Sequence, residues 1–207
     1  MAAGLCPALR MPWSAMGVRA VFLVGFMAAG KTTVGQELAR RLGWDFVDLD
    51  AHIESRERQT IAEIFRDRGE HEFRLVETAT LRDLTKTLKR DTVVALGGGT
   101  FVQPRNRDLL GPWPSVFLEV PEDELWRRSL EDDTKRPLRK DSYAEFAHQY
   151  AGRLPCYRKA TVTVVTPGKD PSSLCAEIER TLQFRGGTEA VSPSQAPADR
   201  LGTGESK

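Results

Sequence analysis

The 207-residue sequence has few cysteines, no long apolar run and no excess of either charge. Its three cysteines, Cys6, Cys156 and Cys175, are far apart and include no Cys-x-x-Cys pair, which argues against a disulfide or zinc framework and favours reduced thiols in a cytoplasmic protein. No apolar stretch approaches the roughly 18–20 residues of a membrane span. The formal net charge of +1 argues against a nucleic-acid or membrane-surface binder.

The two ends of the chain differ in composition from its middle. Residues 1–17 are loosely apolar, but prolines and an arginine interrupt them, so we do not expect an export signal. Beyond residue 185 the only large aliphatic residues are Val191 and Leu201, too few to offset the entropy of ordering the segment. We therefore expect one domain over residues 18–184, a disordered extension at 1–17 and a disordered tail at 185–207.

Between these ends, continuous apolar runs alternate with segments in which apolar residues recur at helical spacing. The run Ala20–Val24 is typical of a strand buried on both faces. Val34, Leu38 and Leu42 then recur every four residues, as in an amphipathic helix. Further strands are expected at residues 46–49, 92–96, 115–120 and 160–165. This alternation indicates an α/β domain with a mainly parallel sheet, whose ligands bind at the carboxyl ends of the strands.

A phosphate-binding motif follows the first expected strand. Residues 25–33, Gly-Phe-Met-Ala-Ala-Gly-Lys-Thr-Thr, fit GxxxxGK[ST] between a strand and a helix. In such a loop backbone N–H groups and the helix N-terminus point at an anion. Lys31 should reach the β- and γ-phosphates of a nucleoside triphosphate, and the Thr32 hydroxyl should ligate Mg²⁺. The expected nucleotide contacts of this loop are Gly25, Ala28, Ala29, Gly30, Lys31, Thr32 and Thr33.

Asp48 and Asp50 end the second expected strand. Alternation along a strand would put both carboxylates on the same face. Beside a triphosphate, one could serve Mg²⁺ and the other a substrate hydroxyl; a helix cap or a solvated strand end is the alternative. The sequence contains no Asn-Lys-x-Asp guanine-binding motif, which argues against a GTPase, and no later strand ends in Asp-Glu, which argues against a motor or AAA-type ATPase.

An ordered set of motifs follows the phosphate loop. The set comprises Asp48-Leu-Asp50, the segments 61–65, 69–77 and 96–100, Arg136-Pro-Leu, and Arg153-Leu-Pro-Cys-Tyr-Arg. Over about residues 18–184 it resembles the shikimate kinases. The resemblance implies a three-layer P-loop kinase fold like that of the nucleoside-monophosphate kinases. Its five-stranded parallel sheet, of order 2-3-1-4-5, would be flanked by helices, with a mobile lid at about residues 127–141.

The resemblance also implies an activity, the ATP-dependent phosphorylation of the 3-hydroxyl of shikimate in aromatic amino acid biosynthesis. The implied enzyme is a cytoplasmic monomer that uses Mg²⁺, with ATP and shikimate as partners and neither nucleic acid nor membrane. A gluconate-type or other small polyol-acid kinase is the alternative among enzymes. A nucleotide-gated regulatory protein is the alternative outside them, but it would need no acid-binding pocket.

The resemblance implies a role for each matching residue near the nucleotide and the reacting groups. Asp50 would hydrogen-bond the substrate hydroxyls and accept the reacting proton. Asp48 would hold Mg²⁺ through water, together with Thr32. Arg128 would stack on adenine, and Arg136 in the lid would contact ATP at the transferring phosphoryl group. The implied catalytic residues are Lys31, Asp50 and Arg136.

Roles at the substrate end follow from the same resemblance. Arg74 and Arg153 would clamp the shikimate carboxylate, a task that suits a planar guanidinium. Glu77 would orient Arg74 or a substrate hydroxyl; an exposed helix pair between the two is the alternative. Three successive glycines cost conformational entropy, which suggests that their backbone must approach a ligand, although a plain turn is possible. The implied substrate-binding residues are Asp50, Phe65, Phe73, Arg74, Glu77, Gly97, Gly98, Gly99 and Arg153.

Overall fold

A sheet of five parallel strands lies at the centre of the protein. The computed structural model describes residues 19–111, 113–131 and 142–183. The strands are β1 (Ala20–Val24), β2 (Asp45–Asp48), β3 (Thr92–Ala95), β4 (Ser115–Glu119) and β5 (Val162–Val165). Their order is β2-β3-β1-β4-β5, and each pair of neighbours is parallel. The predicted sheet order is confirmed.

Several expectations lie outside the described residues. These are the extension at 1–17, the tail at 185–207, most of the lid, and Arg136 within it. Of the three cysteines, Cys156 and Cys175 are described, and neither forms a disulfide bond. No helix in the described ranges is long and apolar enough to cross a membrane.

Helices connect the strands. They are α1 (Lys31–Leu42), α2 (Leu49–Glu57), α3 (Ile61–Thr87), α4 (Pro104–Leu110), α5 (Glu122–Glu131), α6 (Tyr143–Tyr157) and α7 (Pro171–Leu182), with a short 3₁₀ helix at Thr100–Val102. Helix α3 begins with a capping box between Thr60 and Glu63. It bends at Gly69, whose φ of 79° is left-handed. The two halves of α3 therefore meet at a kink.

Strand β1 is buried on both faces, as its apolar run predicts. Ala20, Phe22 and Val24 face one core, which receives side chains from α2, α3, α5 and α6. Val21 and Leu23 face a second core, formed with α1 and α7. Each fully buried large apolar side chain contributes roughly 1.5–3 kcal/mol of transfer free energy. The two cores on either side of the sheet confirm the three-layer fold.

The end of β2 differs from the expectation. The strand ends at Asp48 and helix α2 begins at Leu49, so Asp50 lies in the first helical turn. The strand alternation that put Asp48 and Asp50 on one face is therefore wrong. Asp48 is the N-cap of α2, because its Oδ1 accepts from the backbone N–H groups of Asp50 and Ala51 at 3.0 and 3.3 Å. The cap starts the helix at Leu49, a residue that the expected strand at 46–49 included.

Helix α1 approaches the sheet closely at Gly35, a buried position. A Cβ there would lie 2.5 Å from Phe46 Cε2 and 3.1 Å from Leu23 Cδ1. Gly152 in α6 is the opposite case, because a Cβ there would meet nothing within 4 Å. Alanine substitution at these two positions therefore distinguishes the effect of close packing from the effect of helix propensity.

We predict opposite effects of alanine at these two positions. Gly35→Ala should lower the free energy of unfolding by about 1–2 kcal/mol, because the Phe46 ring or α1 must move. Gly152→Ala should raise it by about 0.5–1 kcal/mol, because alanine is the better helix former. Urea unfolding of both variants checks this. A Gly35→Ala protein as stable as the wild type would show that α1 does not pack as closely as described.

Candidate active site

A cavity of about 830 Å³ opens at the carboxyl ends of β1, β2 and β3. The expected site residues that line it are Ala28, Ala29, Gly30, Lys31, Thr32, Thr33, Asp48, Asp50, Phe65, Phe73, Arg74, Glu77, Gly97, Gly98, Gly99, Arg128 and Arg153. Gly25 is not among its lining residues; it lies at the base of the phosphate loop, where its carbonyl accepts from Lys31 Nζ at 3.0 Å. One cavity thus brings together residues expected to bind the nucleotide and residues expected to bind the second substrate.

The phosphate loop, residues 25–33, joins β1 to α1. Gly30 is the N-cap of α1 with φ 83°, a left-handed conformation that costs glycine little. Ala28 also has a positive φ, 59°, which a residue with a Cβ adopts at a cost of about 1–2 kcal/mol. Lys31 Nζ donates to the carbonyl oxygen of Phe26 at 2.8 Å as well as to that of Gly25. Its ammonium therefore lies against the loop, beside the positive end of the α1 dipole.

Asp48 links the starts of two helices. Its Oδ1 caps α2, while its Oδ2 accepts from Thr32 Oγ1 at 2.8 Å at the start of α1. A hydroxyl and a carboxylate are hard oxygen donors of the kind that Mg²⁺ prefers, usually completed by phosphate and water oxygens. No group of three or more acidic, histidine or cysteine side chains that could hold a metal occurs in the described ranges. The Thr32 hydroxyl and the Asp48 carboxylate, next to the phosphate loop, are donors that suit a magnesium ion.

Arg74 is buried between two carboxylates of its own helix. Its Nη1 donates to both oxygens of Glu77 at 3.1 and 3.0 Å, and its Nη2 donates to Glu70 Oε1 at 3.1 Å. The side chains of Arg74 and Glu77 are 9% and 1% exposed, so the alternative of an exposed helix pair is wrong. Burial alone would lower the pKa of Arg74, but the charges and hydrogen bonds of both glutamates raise it above its ordinary value. The guanidinium stays charged.

Aromatic rings support both arginines that line the cavity. Arg74 Cζ lies 5.1 Å from the centroid of the Phe73 ring, which in turn packs on Phe65 at 4.6 Å between centroids. Arg153 Cζ lies 5.5 Å from the Phe26 ring. The negative face of each ring attracts the guanidinium beside it and helps to hold the cation at the cavity wall.

The glycine turn, residues 97–99, makes room for side chains of the site itself. A Cβ on Gly97 would collide with Asp50 Oδ1, and a Cβ on Gly99 would lie 2.5 Å from Arg74 Nη2. At Gly98 the nearest atom would be Met27 N at 3.5 Å, an ordinary contact. Approach of the backbone to a ligand is therefore not the only reason for three glycines. Two of them accommodate a carboxylate and a guanidinium from other elements.

Tyr157 is a site residue to which the sequence analysis gives no role. It is fully buried, and its hydroxyl donates to the carbonyl oxygen of Gly98 at 2.5 Å. Burial raises the pKa of Tyr157 to about 12, although hydrogen-bonded Arg153 acts in the opposite direction. Tyr157 therefore ties α6, which carries Arg153, to the glycine turn. No local pattern reveals this contact, because the two residues are distant in sequence.

The sequence patterns also did not single out two acidic residues near the expected substrate-binding region, Glu70 and Glu54. Glu70 precedes Arg74 by one helical turn, a spacing from which their contact could have been predicted. Glu54 lines the cavity from α2, and its Oε1 accepts from the backbone N–H of Ile61 at 2.9 Å. Each belongs to a helix that forms one wall of the cavity.

Fold and site together define a class of protein, a P-loop kinase with a binding region for a small acid beside the phosphate loop. The shikimate kinase family model matches residues 27–183. The chain is 39% identical over 186 residues to the shikimate kinase of Chlorobium chlorochromatii, which covers 84% of this chain and 96% of that protein. It is 43% identical over 167 residues to that of Halorhodospira halophila, covering 79% and 93%.

A solved structure is similar as well. The shikimate kinase from Acinetobacter baumannii in complex with shikimate matches with a TM-score of 0.74 and 34% identity, over 83% of this chain and 97% of that one. The chain belongs to the shikimate kinase family.

We predict a specific alkaline instability from Tyr157. The folded protein keeps this hydroxyl protonated up to about pH 12, whereas an unfolded tyrosine ionises near pH 10. Its contribution to stability is therefore present below pH 10 and lost as the pH rises towards 12, a difference of about 2–3 kcal/mol. Urea unfolding of wild type and Tyr157→Phe between pH 9 and 12 should show the steeper loss in the wild type. Parallel losses in both proteins would contradict the raised pKa.

Proposed function

We propose that this protein transfers the γ-phosphoryl group of ATP to the 3-hydroxyl of shikimate, giving shikimate 3-phosphate and ADP for aromatic amino acid biosynthesis. One observation carries the proposal. A single cavity is lined by the phosphate loop, by the carboxylate of Asp50 and by the guanidinium groups of Arg74 and Arg153. Membership of the shikimate kinase family supports the same substrate.

The arginines bind the shikimate carboxylate in this proposal. Arg74 already contacts two glutamates, so a second cation is needed to make the region attractive to another anion. Arg153 supplies that charge from α6, on the same cavity wall as Gly98, whose Cβ would lie 3.9 Å from Arg153 Nη1. Both guanidinium groups offer the paired N–H donors that match a carboxylate.

Asp50 is the proposed proton acceptor. The 3-hydroxyl oxygen forms a bond to the γ-phosphorus while the bond from that phosphorus to the bridging oxygen of ADP breaks, and ADP keeps the electron pair. The hydroxyl proton passes to Asp50, whose carboxylate lies against Gly97 in the cavity wall. Lys31 stabilises the negative charge of the phosphates from the loop.

Thr32 and Asp48 are the residues proposed to hold Mg²⁺. A magnesium ion bound with ATP would neutralise part of the phosphate charge. Arg128, which pairs with Glu124 at 2.5 Å and borders the loop at Gly30, is proposed to contact the adenine. The contribution of Arg136 to the transferring phosphoryl group rests on the family resemblance, as do a monomeric state and a cytoplasmic location.

Release of ADP with a panel of acceptors tests the proposed function. Shikimate, gluconate and nucleoside monophosphates are each incubated with the enzyme, ATP and Mg²⁺, and the phosphorylated product is located by phosphorus NMR. We expect turnover with shikimate and phosphate on its 3-hydroxyl. Turnover with gluconate alone would favour the polyol-acid kinase, and no acceptor-dependent turnover would favour the nucleotide-gated regulator.

Removing either arginine should weaken shikimate binding selectively. We expect Arg74→Ala and Arg153→Ala each to cost roughly 2–4 kcal/mol in shikimate affinity, because the substrate carboxylate would remain partly desolvated without its partner. MgATP affinity should hardly change. Arg66→Ala is the matched control, because Arg66 lies on the same helix in an exposed pair with Asp67. Calorimetric titrations measure both ligands; normal shikimate binding by the two cavity variants would disprove the clamp.

Substitution of Asp48 should change the magnesium requirement. Asp48→Asn keeps an oxygen that can cap α2 but removes the charge, so the half-activating Mg²⁺ concentration should rise at least about 10-fold. Asp48→Ala should show the same rise and also lose about 1 kcal/mol of stability with the cap. Activity titrations against Mg²⁺ and urea unfolding separate the two effects. An unchanged requirement in Asp48→Asn would contradict the proposed metal role.

A further inference from the structure

Thr100 is the first residue of the 3₁₀ helix, and its hydroxyl points towards Glu77, which lines the cavity. It is fully buried, and its Oγ1 donates to Glu77 Oε1 at 2.6 Å. A hydrogen bond of this length to a carboxylate belongs to the strong, charge-assisted kind. Thr100 does not line the cavity, so its hydroxyl can act on a bound substrate only indirectly, and Glu77, which does line the cavity, is the residue it contacts.

The backbone that carries this hydroxyl is held from several directions. The N–H of Thr100 donates to the Gly97 carbonyl at 3.1 Å, and its own carbonyl accepts from Asn106 Nδ2 at 3.0 Å. Arg107 Nη1 donates to the next two carbonyls, those of Phe101 and Val102, at 2.8 Å each. Helix α4 thus holds the 3₁₀ helix in place, which fixes the position of the hydroxyl.

Glu77, whose position depends on the Thr100 hydroxyl, in turn restrains the guanidinium of Arg74. Its carboxylate accepts from Arg74 Nη1 on both oxygens and from Thr100 on Oε1. A buried carboxylate must keep its donors, so its orientation follows from where they lie. With the Thr100 donor removed, the carboxylate would be free to turn towards Arg74 and draw the guanidinium with it. The guanidinium lies directly against Gly99, where a Cβ would come within 2.5 Å of Arg74 Nη2, so a shift of the cation would change this close contact.

We propose that Thr100 is a positioning residue for the acidic substrate. Its hydroxyl fixes Glu77, Glu77 fixes the guanidinium of Arg74 against Gly99, and this orientation sets the affinity for the substrate carboxylate. The inference deepens the proposed function and rests on it. It assigns to a side chain outside the cavity a part of the specificity for a carboxylic acid.

The chain offers a close control on the same helix as Glu77. Thr80 in α3 is also fully buried, and its hydroxyl has no hydrogen-bond partner among the residues that the structure describes. Thr100→Val and Thr80→Val are therefore the same chemical change in similar surroundings. They differ in whether the lost hydroxyl holds the carboxylate of Glu77.

The test compares steady-state kinetics of these variants. Thr100→Val should raise KM for shikimate about 10-fold, the cost of a hydrogen bond to a charged group, with kcat within about 2-fold of wild type. Its dissociation constant for MgATP should not change. Thr80→Val should match the wild type in all three quantities. Thr100→Ser, which retains the hydroxyl, should bring KM back to within about 3-fold of wild type.

Circular dichroism and melting temperature verify that each variant folds. If Thr100→Val does not fold, Thr100→Ala replaces it, and its comparison with Thr100→Ser isolates the hydroxyl at nearly constant size. An unchanged KM, a similar rise in Thr80→Val, or a parallel loss of kcat and MgATP binding would overturn the role of Thr100. A wild-type enzyme that does not phosphorylate shikimate would instead overturn the proposed function, so the two failures are distinguishable.

Discussion

The buried ion pair between Arg74 and Glu77 is the interaction on which the substrate half of the site depends. A charge removed from water is costly unless it is paired and hydrogen-bonded, and loss of one partner of such a pair typically costs about 3–5 kcal/mol. The surroundings meet this requirement from three sides: Glu70 contacts the arginine, Thr100 contacts the glutamate, and Gly99 leaves space for the guanidinium. A buried pair adds little net stability, so its contribution here is orientation of a cation towards the cavity.

The nucleotide half depends on the parallel sheet. Because the strands run in one direction, the phosphate loop after β1, the α2 cap after β2 and the glycine turn after β3 meet at one edge. Asp48 joins the first two, with one oxygen on the backbone of α2 and the other on Thr32. Asp50 follows in the first turn of α2 and lies against Gly97. The cap thus places one carboxylate beside the phosphate loop and the next beside the glycine turn.

Local patterns predicted the strands, the amphipathic helix after the phosphate loop and, with the family resemblance, the order of the sheet. They failed where side-chain hydrogen bonds and contacts, local or distant, decide the conformation. The strand expected at residues 46–49 ends at Asp48, because the capping bonds of Asp48 start helix α2 at Leu49. The reason for Gly99 lies in a side chain of α3, and the bond from Tyr157 to Gly98 spans 59 positions. The domain limits and the lid arginine, Arg136, stay predictions.

A crystal structure with shikimate and MgADP tests the account most directly. We expect the shikimate carboxylate between the guanidinium groups of Arg74 and Arg153, at charge-assisted hydrogen-bond distances of about 2.7–2.9 Å. We expect the 3-hydroxyl to contact Asp50 and to face the phosphate loop, with Glu77 and Thr100 still in contact. A carboxylate that touches neither arginine, or a 3-hydroxyl turned away from the loop, would contradict the account.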